Sequence, residues 1–167
     1  MEMGLSLGSN LGDRLRHLQL AGAAIAAIPG VKVLDRSPVY ETEPVNVAPA
    51  FNRKRFLNAV VVIKTVKRPE ELLPLLRGLE TRLGRRRTAD RSAPRPIDID
   101  MLYAGRLRRR GEPLTLPHPR WHERRFVVQP LADVRPQLVL PGEPRSVAQV
   151  LATLPPSPQV VLFAREW

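Results

Sequence analysis

The feature that most constrains this fold is the segment over residues 56–63, which is apolar at every position except Asn58. Side chains along a strand point alternately to opposite faces, so a strand that is apolar at both odd and even positions must be covered on both sides. Residues 56–63 therefore predict the central strand of a sheet that has other elements packed against each of its faces.

Short periodic segments elsewhere predict the remaining elements. Alternation over 3–7 predicts a first strand, and an apolar face running from Leu15 to Ile25 predicts a helix. Further along, we expect a strand over 31–40, a loop over 44–55, a helix beginning near 69–71, a basic loop over 84–94, a strand over 97–103, short helices beyond 117 and a last strand near 160–163. An interior proline costs a helix about 3 kcal/mol, so Pro74 predicts a kink or a late start in the second helix.

The order strand–helix–strand–strand–helix–strand predicts the α+β class. More specifically, it predicts a ferredoxin-like βαββαβ core, with an antiparallel-rich sheet and helices packed on it. The 167 residues contain no internal repeat, no low-complexity tract and no evident linker. We therefore expect a single domain over residues 1–167, and we expect it to be a monomer.

Composition excludes several classes of function. The chain has no cysteine, which rules out disulfides, thiolate nucleophiles and Cys-ligated metal centres. No apolar run approaches the roughly 18 residues of a membrane span, and the first residues lack the features of a secretory signal, so we expect a cytoplasmic protein without membrane association. The formal charge of +11, from 27 basic and 16 acidic residues, suits phosphorylated small molecules, nucleic acid or an anionic membrane, although a solvated arginine-rich surface gives the same value.

The pair Asp98 and Asp100 is the most informative candidate for chemistry. Residues two apart on a strand point the same way, with Cα atoms roughly 6.5–7 Å apart, so both carboxylates would face one cleft while Ile97, Ile99 and Met101 face the core. Two neighbouring carboxylates repel each other unless a proton or cation lies between them, and Mg²⁺ prefers hard oxygen ligands of this kind. An ordinary solvent-facing strand shows the same alternation, so the pattern alone leaves both interpretations open.

Cationic and aromatic side chains extend this candidate site. Arg85 and Arg95 flank a loop that leads into the two aspartates, and phosphoryl transfer requires positioned cations on the phosphate oxygens. Phe56 and Asn58 share one face of the central strand, where an aromatic plane beside an amide could bind a flat heterocycle, although strand aromatics are usually core residues. The sequence has no Gly-Lys dipeptide and no G-x-G-x-x-G after a strand, so an ATP site here would depend on metal and arginine.

Taken together, these segments resemble the 6-hydroxymethyl-7,8-dihydropterin pyrophosphokinase family of folate biosynthesis. The resemblance covers roughly the first four-fifths of the chain, and its most specific part is Arg95-Pro96-Ile97-Asp98-Ile99-Asp100 followed by Pro117-His118-Pro119. The other matching segments are Gly8-Ser9-Asn10, residues 40–44, residues 56–59, Glu80 with Gly84-Arg85, and residues 124–127.

The resemblance implies an enzyme that transfers the β,γ-diphosphoryl group of ATP to the hydroxymethyl oxygen of 6-hydroxymethyl-7,8-dihydropterin and releases AMP. It implies that Asp98 and Asp100 hold two Mg²⁺ ions while Arg85 and Arg95 clamp the transferring group. The implied ATP contacts are Arg87, Arg95, His118 and Arg124, and the implied pterin contacts are Thr42, Pro44, Val45, Phe56, Asn58 and Phe126. Glu80 is expected near the metal and substrate, and the segments 44–55 and 84–95 are expected to close over the reactants.

Two alternatives stay open at this point. A nucleic-acid-binding ferredoxin-like module agrees with the fold and the charge, but it predicts an aromatic RNP1-like string that the chain lacks. A non-catalytic interaction domain would not need the paired aspartates. Asn46, Ser92 and Pro113 depart from the family pattern, and none of them is an implied metal ligand or clamping arginine.

Overall fold

The computed structural model describes residues 1–44, 54–86 and 93–167 of the chain. Within those ranges the strands are β1 (Glu2–Ser9), β2 (Val31–Arg36), β3 (Val39–Thr42), β4 (Phe56–Thr65), β5 (Asp98–Ala104) and β6 (Val160–Ala164). The α-helices are α1 (Arg14–Ala26), α2 (Pro69–Arg82), α3 (Arg125–Val134) and α4 (Val147–Thr153), and a 3₁₀ turn covers Trp121–Glu123. No helix in the described ranges is long and apolar enough to cross a membrane.

The strands form one sheet in the order β5-β1-β4-β3-β6, and β2 also pairs with β4. Every ladder between these strands is antiparallel. The units β1-α1-β2 and β4-α2-β5 each return the chain to the same sheet through a helix, which gives the βαββαβ order. The predicted α+β class with a ferredoxin-like core is therefore confirmed.

Strand β4 lies inside the sheet and is covered on both faces, as its sequence predicts. Its odd-numbered residues from Leu57 to Ile63 pack against apolar side chains of α1 and α2. Val60 and Val62 point to the other face, where they pack with α3 and α4. The sheet therefore separates two apolar cores, and the candidate site has to lie where one of these cores ends.

The prediction of one strand over 31–40 is wrong, because the structure divides this segment into β2 and β3. The break lies at Ser37 and Pro38, and proline has no N–H to donate to a ladder. Ser37 instead satisfies the facing backbone of β4: its N–H donates to the Val60 carbonyl at 2.9 Å, and its hydroxyl accepts from the Val60 N–H at 2.8 Å. One edge of β4 therefore pairs with two short strands, β2 and β3, and the other edge of β3 pairs with β6.

Pro74 predicted either a kink or a late start in the second helix, and the structure excludes the late start, because α2 begins at Pro69. A proline in the first helical turn lacks only an N–H that would have no helical partner anyway. Pro74 lies inside the helix on its exposed side, so the carbonyl of Glu70, one turn earlier, loses its helical partner at a position near water. The buried face of the helix consists of Pro69, Leu72, Leu76, Leu79 and Glu80.

A close contact between β1 and β5 requires glycine at position 4. Gly4 faces Tyr103 across the ladder, and a Cβ added to Gly4 would lie 2.2 Å from Tyr103 Cε1. The Tyr103 hydroxyl donates to Glu2 Oε1 at 2.7 Å, and Arg135 of the α3 C-terminus forms salt bridges with Glu2 and Asp35. These contacts join β1, β2, β5 and α3 near the first residue of β1, at the opposite end of that strand from Gly8.

We expect Gly4→Ala to lower the free energy of unfolding by roughly 1–3 kcal/mol, because the added methyl group overlaps the Tyr103 ring. Gly78→Ala is the matched control: a Cβ there would meet its nearest side-chain atom, on Arg82, at 3.7 Å. Alanine at this helical position should stabilise the protein by about 0.5–1 kcal/mol. Urea denaturation of both variants measures the two effects, and equal effects would contradict the contact.

Candidate active site

A cleft of about 600 Å³ opens at one end of the sheet, on the side covered by α3. Strands β1, β3, β4 and β5 contribute to its lining, and the 3₁₀ turn and the start of α3 supply further walls. The cleft brings together most of the described residues that the sequence singled out, namely Thr42, Phe56, Asn58, Arg85, Arg95, Asp98, Asp100, His118, Arg124 and Phe126.

The register of three strands orders the floor of this cleft. Gly8 of β1 pairs with Asp98 of β5 on one side and with Asn58 of β4 on the other. Because neighbouring strands lie about 4.8 Å apart, the Cα atoms of Asp98 and Asn58 are roughly 10 Å apart, and the residue between them, Gly8, has no side chain. A Cβ added to Gly8 would lie 3.5 Å from Asn58 Oδ1, so glycine keeps this space open. The floor therefore has an acidic half and an amide–aromatic half.

In the acidic half, two guanidinium groups hold Asp98. Arg85 forms a salt bridge with Asp98 Oδ1, and Arg95 lies 3.2 Å from Asp98 Oδ2. Asp100 lines the same cleft, whereas Ile99 and Met101 are buried in the core beneath α1 and α2. The structure thus brings both carboxylates to one cleft, as the alternation along the strand predicts.

Glu80 of α2 supports this arrangement from behind the strand. Its side chain is 3% exposed, and its Oε1 accepts from the Ile99 N–H at 2.7 Å and from Arg85. Burial raises the pKa of Glu80, with a further increase from Asp98, although the Ile99 N–H and Arg85 oppose it. Burial alone would lower the pKa of Arg85, but the two carboxylates outweigh it and keep the guanidinium charged. Arg85 therefore bridges helix α2 and strand β5.

Asp100 has an unusual affinity for protons. Its pKa is raised to about 7, first by burial and then by the charge of Asp98, with a smaller contribution from Glu80. Arg124 and Arg85 act in the opposite direction without cancelling these effects. A carboxyl group with this pKa stays partly protonated near neutral pH unless another cation takes the place of the proton.

His118 is a neutral side chain in this cleft. Burial and the charge of Arg124 lower its pKa to about 4. The His118 Nδ1 accepts from the Arg120 N–H at 3.2 Å, which assigns the ring proton to Nε2 and makes that atom a donor. The backbone N–H of His118 donates to the Leu102 carbonyl at 2.8 Å and so holds this segment against β5.

Arg124 adds a cation at the start of α3. Its guanidinium carbon lies 5.8 Å from the centroid of the Phe126 ring, a cation–π distance. The pKa of the Arg124 guanidinium is lowered, mainly by burial and to a smaller extent by the charge of Arg120. Within the described ranges no carboxylate forms a salt bridge with Arg124, so its guanidinium is available to an anion in the cleft.

The amide–aromatic half contains Phe56, Asn58 and Phe126. The Asn58 Nδ2 donates to Thr42 Oγ1 at 2.8 Å, which fixes the orientation of a side chain that is 4% exposed. Phe56 and Phe126 are both only partly buried and both line the cleft, so Phe56 is not an ordinary core residue of the strand. Two aromatic faces and an oriented amide therefore surround one space.

Some predicted residues are not among those that line this cleft. Pro44 is partly buried at the end of β3, and its neighbour Glu43 lines the wall instead. Val45 and Arg87 lie outside the described residues, as do Asn46, Ser92 and the rest of the stretches 45–53 and 87–92 within the segments 44–55 and 84–95.

A second cleft of about 330 Å³ meets the first at the two aspartates. Arg85, Asp98, Asp100 and His118 line both clefts. The remainder of the second cleft is lined mainly by Glu80, Met101, Leu114, Thr115 and the segment 111–113. The carboxylates therefore stand where two separate ligand-sized spaces join.

Sequence reasoning missed the roles of Gly8 and Asn10. Asn10 is 3% exposed, and its Oδ1 accepts from the Arg95 N–H at 2.8 Å across 85 positions of the chain. A contact over this separation leaves no local pattern, so the family resemblance of Gly8-Ser9-Asn10 was the one signal that pointed to this segment.

Comparison with known proteins identifies the family to which the chain is similar. The model of the family described as 7,8-dihydro-6-hydroxymethylpterin-pyrophosphokinase (HPPK) matches residues 4–136. The chain is 42% identical over 153 residues to 2-amino-4-hydroxy-6-hydroxymethyldihydropteridine pyrophosphokinase of Methylorubrum extorquens, covering 92% of this chain and 93% of that protein. It is also 42% identical over 134 residues to the Bacillus subtilis protein of the same name, covering 80% of this chain and 78% of that protein.

Solved structures show the same fold. The chain resembles the wild-type Plasmodium falciparum HPPK-DHPS crystal structure with pteroate at a TM-score of 0.69 and 14% identity. That match covers 90% of this chain but 42% of the solved one, so the chain spans less than half of its structural relative, and the likeness concerns the fold alone. Because the family model matches most of the sequence and two relatives exceed 40% identity, the chain belongs to the 7,8-dihydro-6-hydroxymethylpterin-pyrophosphokinase family.

Proposed function

We propose that this chain transfers the β,γ-diphosphoryl group of ATP to the hydroxymethyl oxygen of 6-hydroxymethyl-7,8-dihydropterin, a reaction of folate biosynthesis. The observation that carries the proposal is the floor row Asp98–Gly8–Asn58, which joins an acidic, arginine-lined half to an amide–aromatic half. A phosphate donor and a flat acceptor can meet over the glycine between them. The acceptor hydroxyl releases its proton to water as its oxygen bonds to the β-phosphorus, the bond from that phosphorus to the α-phosphate oxygen breaks, and AMP leaves.

The amide–aromatic half suits the pterin. Phe56 and Phe126 offer aromatic faces to a flat ring, and stacking of this kind stabilises a bound heterocycle. An aminopyrimidinone edge has donors and an acceptor side by side, and the Asn58 amide offers both functions in an orientation that Thr42 holds. We assign further pterin contacts to Pro44 and Val45 by family resemblance.

The acidic half suits magnesium. Asp98 and Asp100 supply hard oxygen donors, and the raised pKa of Asp100 indicates a position where a cation is favoured. Among the described residues no three His, Cys, Asp or Glu side chains form a complete metal cluster, so water and phosphate oxygens must complete the coordination. We assign two Mg²⁺ ions to this pair. When bound, the metal would neutralise charge on the triphosphate and favour attack at the β-phosphorus.

Arg85 and Arg95 have two successive partners in this proposal. In the structure both guanidinium groups hold Asp98. With the Asp98 carboxylate holding a metal ion, the same two guanidinium groups would be placed to donate to the transferring phosphate, where positioned cations stabilise the developing charge. Glu80 keeps hold of Arg85 throughout, so this guanidinium stays in place.

The remaining polar groups suit the rest of the nucleotide. Neutral His118 is a donor through Nε2, and Arg124 is a charged donor without a described carboxylate partner. We assign the nucleoside to the second cleft, since that space joins the first at the aspartates. Arg87 is assigned to ATP by family resemblance.

The structure gives the nucleic-acid alternative no support. Ferredoxin-like RNA-binding modules stack bases on an open sheet face. Here α1 and α2 cover one face, and α3 and α4 cover much of the other. The common sheet between both cores supports a single domain. We also propose that the protein is monomeric and cytoplasmic, two expectations for which the structure adds no observation.

The reaction itself is tested by its products. Incubation with MgATP and 6-hydroxymethyl-7,8-dihydropterin should give AMP and a pterin diphosphate, both identified by mass spectrometry, and EDTA should stop the reaction. ADP as the nucleotide product would show transfer of a single phosphoryl group and would overturn the proposal.

Asp98→Asn should reduce kcat by at least about 10²-fold, because it removes the charge that would hold the metal beside the transferring phosphate. Asp133→Asn is the matched control on α3, where the asparagine oxygen can still accept from the Tyr40 hydroxyl, 2.7 Å away in the structure. Steady-state kinetics at saturating Mg²⁺ give kcat, and circular dichroism checks the fold. Wild-type turnover by Asp98→Asn would exclude Asp98 as a metal ligand.

Asp100 should make the metal-free protein less stable as pH rises. Its folded pKa of about 7 exceeds the unfolded value of 3.8, so the folded state binds more protons between these values and stability falls across this window. One pKa unit corresponds to 1.36 kcal/mol, so the difference between about 7 and 3.8 makes Asp100→Asn more stable than wild type by up to about 4 kcal/mol at pH 8 in EDTA. The difference should vanish near pH 4 in urea denaturation. A pH-independent difference would refute this origin.

A further inference from the structure

We propose that Asn10 is a positioning residue for the transfer reaction, which it serves by fixing the backbone of Arg95. The inference rests on the proposed function, because Arg95 matters for turnover only if its guanidinium acts on a phosphate beside Asp98. Asn10 itself does not line the cleft and need not touch either substrate.

Two hydrogen bonds join these residues. The Asn10 N–H donates to the Arg95 carbonyl at 3.2 Å, and the Asn10 Oδ1 accepts from the Arg95 N–H at 2.8 Å. Asn10 is 3% exposed, so water competes little for these groups. Arg95 is therefore held through both of its backbone polar groups.

The side chain of Asn10 supplies a hydrogen-bond acceptor just beyond the last residue pair of the β1–β5 ladder. The register pairs Leu7 with Ile99 and Gly8 with Asp98, so its continuation would place Asn10 opposite residue 96. Residue 96 is proline, which has no N–H to donate. The side-chain Oδ1 of Asn10 accepts instead from the N–H of Arg95, the residue before the proline, and so extends the pairing by one step beyond the strand.

This extension determines where the Arg95 guanidinium lies. Arg95 reaches Asp98 at 3.2 Å from a position three residues earlier in the chain. An arginine side chain has several rotatable bonds, so a displaced backbone would spread the guanidinium over many positions. Displacement of a reacting or stabilising group by about 1 Å can cost 10²-fold in rate. Asn10 therefore controls kcat through Arg95.

The nitrogen and the oxygen of the Asn10 side-chain amide differ in their hydrogen bonds. Its Nδ2 is buried and has no hydrogen-bond partner within the described ranges, whereas its Oδ1 holds Arg95. The acceptor is thus the functional atom of the side chain. Asn10→Asp keeps an acceptor at this position, and Asn10→Ala removes it.

A double-mutant cycle with Arg95→Ala tests the proposal, since alanine keeps the backbone N–H at position 95. In the otherwise wild-type enzyme, Asn10→Ala should lower kcat by about 10- to 100-fold and leave the KM for the pterin within about twofold. In the Arg95→Ala background the same change should lower kcat less than about twofold, because the guanidinium that Asn10 positions is gone. Asn10→Asp should recover most of the lost kcat.

Ser9→Ala is the matched control. Ser9 is adjacent and fully buried, but its hydroxyl has no hydrogen-bond partner among the described residues, so kcat should be unchanged. Equal losses from Asn10→Ala in both backgrounds would show a general structural role and overturn the inference. If Asn10→Ala does not fold, Asn10→Ser serves in the cycle, because its shorter side chain withdraws the acceptor. Wild-type protein that forms no AMP would overturn the proposed function instead, before the cycle is run.

Discussion

The bridge that Arg85 forms between Glu80 and Asp98 is the interaction on which the rest of the site depends. It lies where α2 meets β5, and Glu80 also accepts the Ile99 N–H, so one buried carboxylate orients a strand and a guanidinium together. Buried charges persist only when every member has a partner, and loss of one member leaves the others uncompensated. Because this bridge joins α2 to β5, contacts between the helix and the sheet also place a cation beside Asp98.

Asp100 and Gly8 are two further residues of the cleft whose arrangement suits ligand binding better than it suits stability. Asp100 is held beside Asp98 at a position where burial raises its pKa to about 7, which we expect to weaken the metal-free fold and, under the proposed function, to favour a bound cation. Gly8 supplies no side chain to the cleft floor, and this gap separates the acidic half from Asn58. Such arrangements are expected at active sites, where selection for activity accepts a local loss of stability. Compensation comes from regular elements, above all β4 with an apolar core on each face.

The success of sequence reasoning depended on the range of the interactions involved. The central strand and the shared face of Asp98 and Asp100 were predictable, because alternation along one strand is a local property. The strand over 31–40 was predicted wrongly as a single element, because its break depends on how Ser37 satisfies Val60 of another strand. Of the kink or late start expected from Pro74, the late start did not occur, because the packing of the buried face of α2 outweighed an unfavourable residue on its exposed side.

By itself, the sequence determined the α+β class, the two-sided burial of β4, the carboxylate pair and, through its motifs, the HPPK family. Only the tertiary structure decided how these parts meet: that Gly8 separates Asp98 from Asn58, that Glu80 supports Arg85, and that a second cleft joins the first. The physical reason is that alternation and helical period record burial along one element, whereas register and ion pairs arise between elements far apart in the chain. Those contacts depend on three-dimensional packing and leave no periodic trace in the sequence.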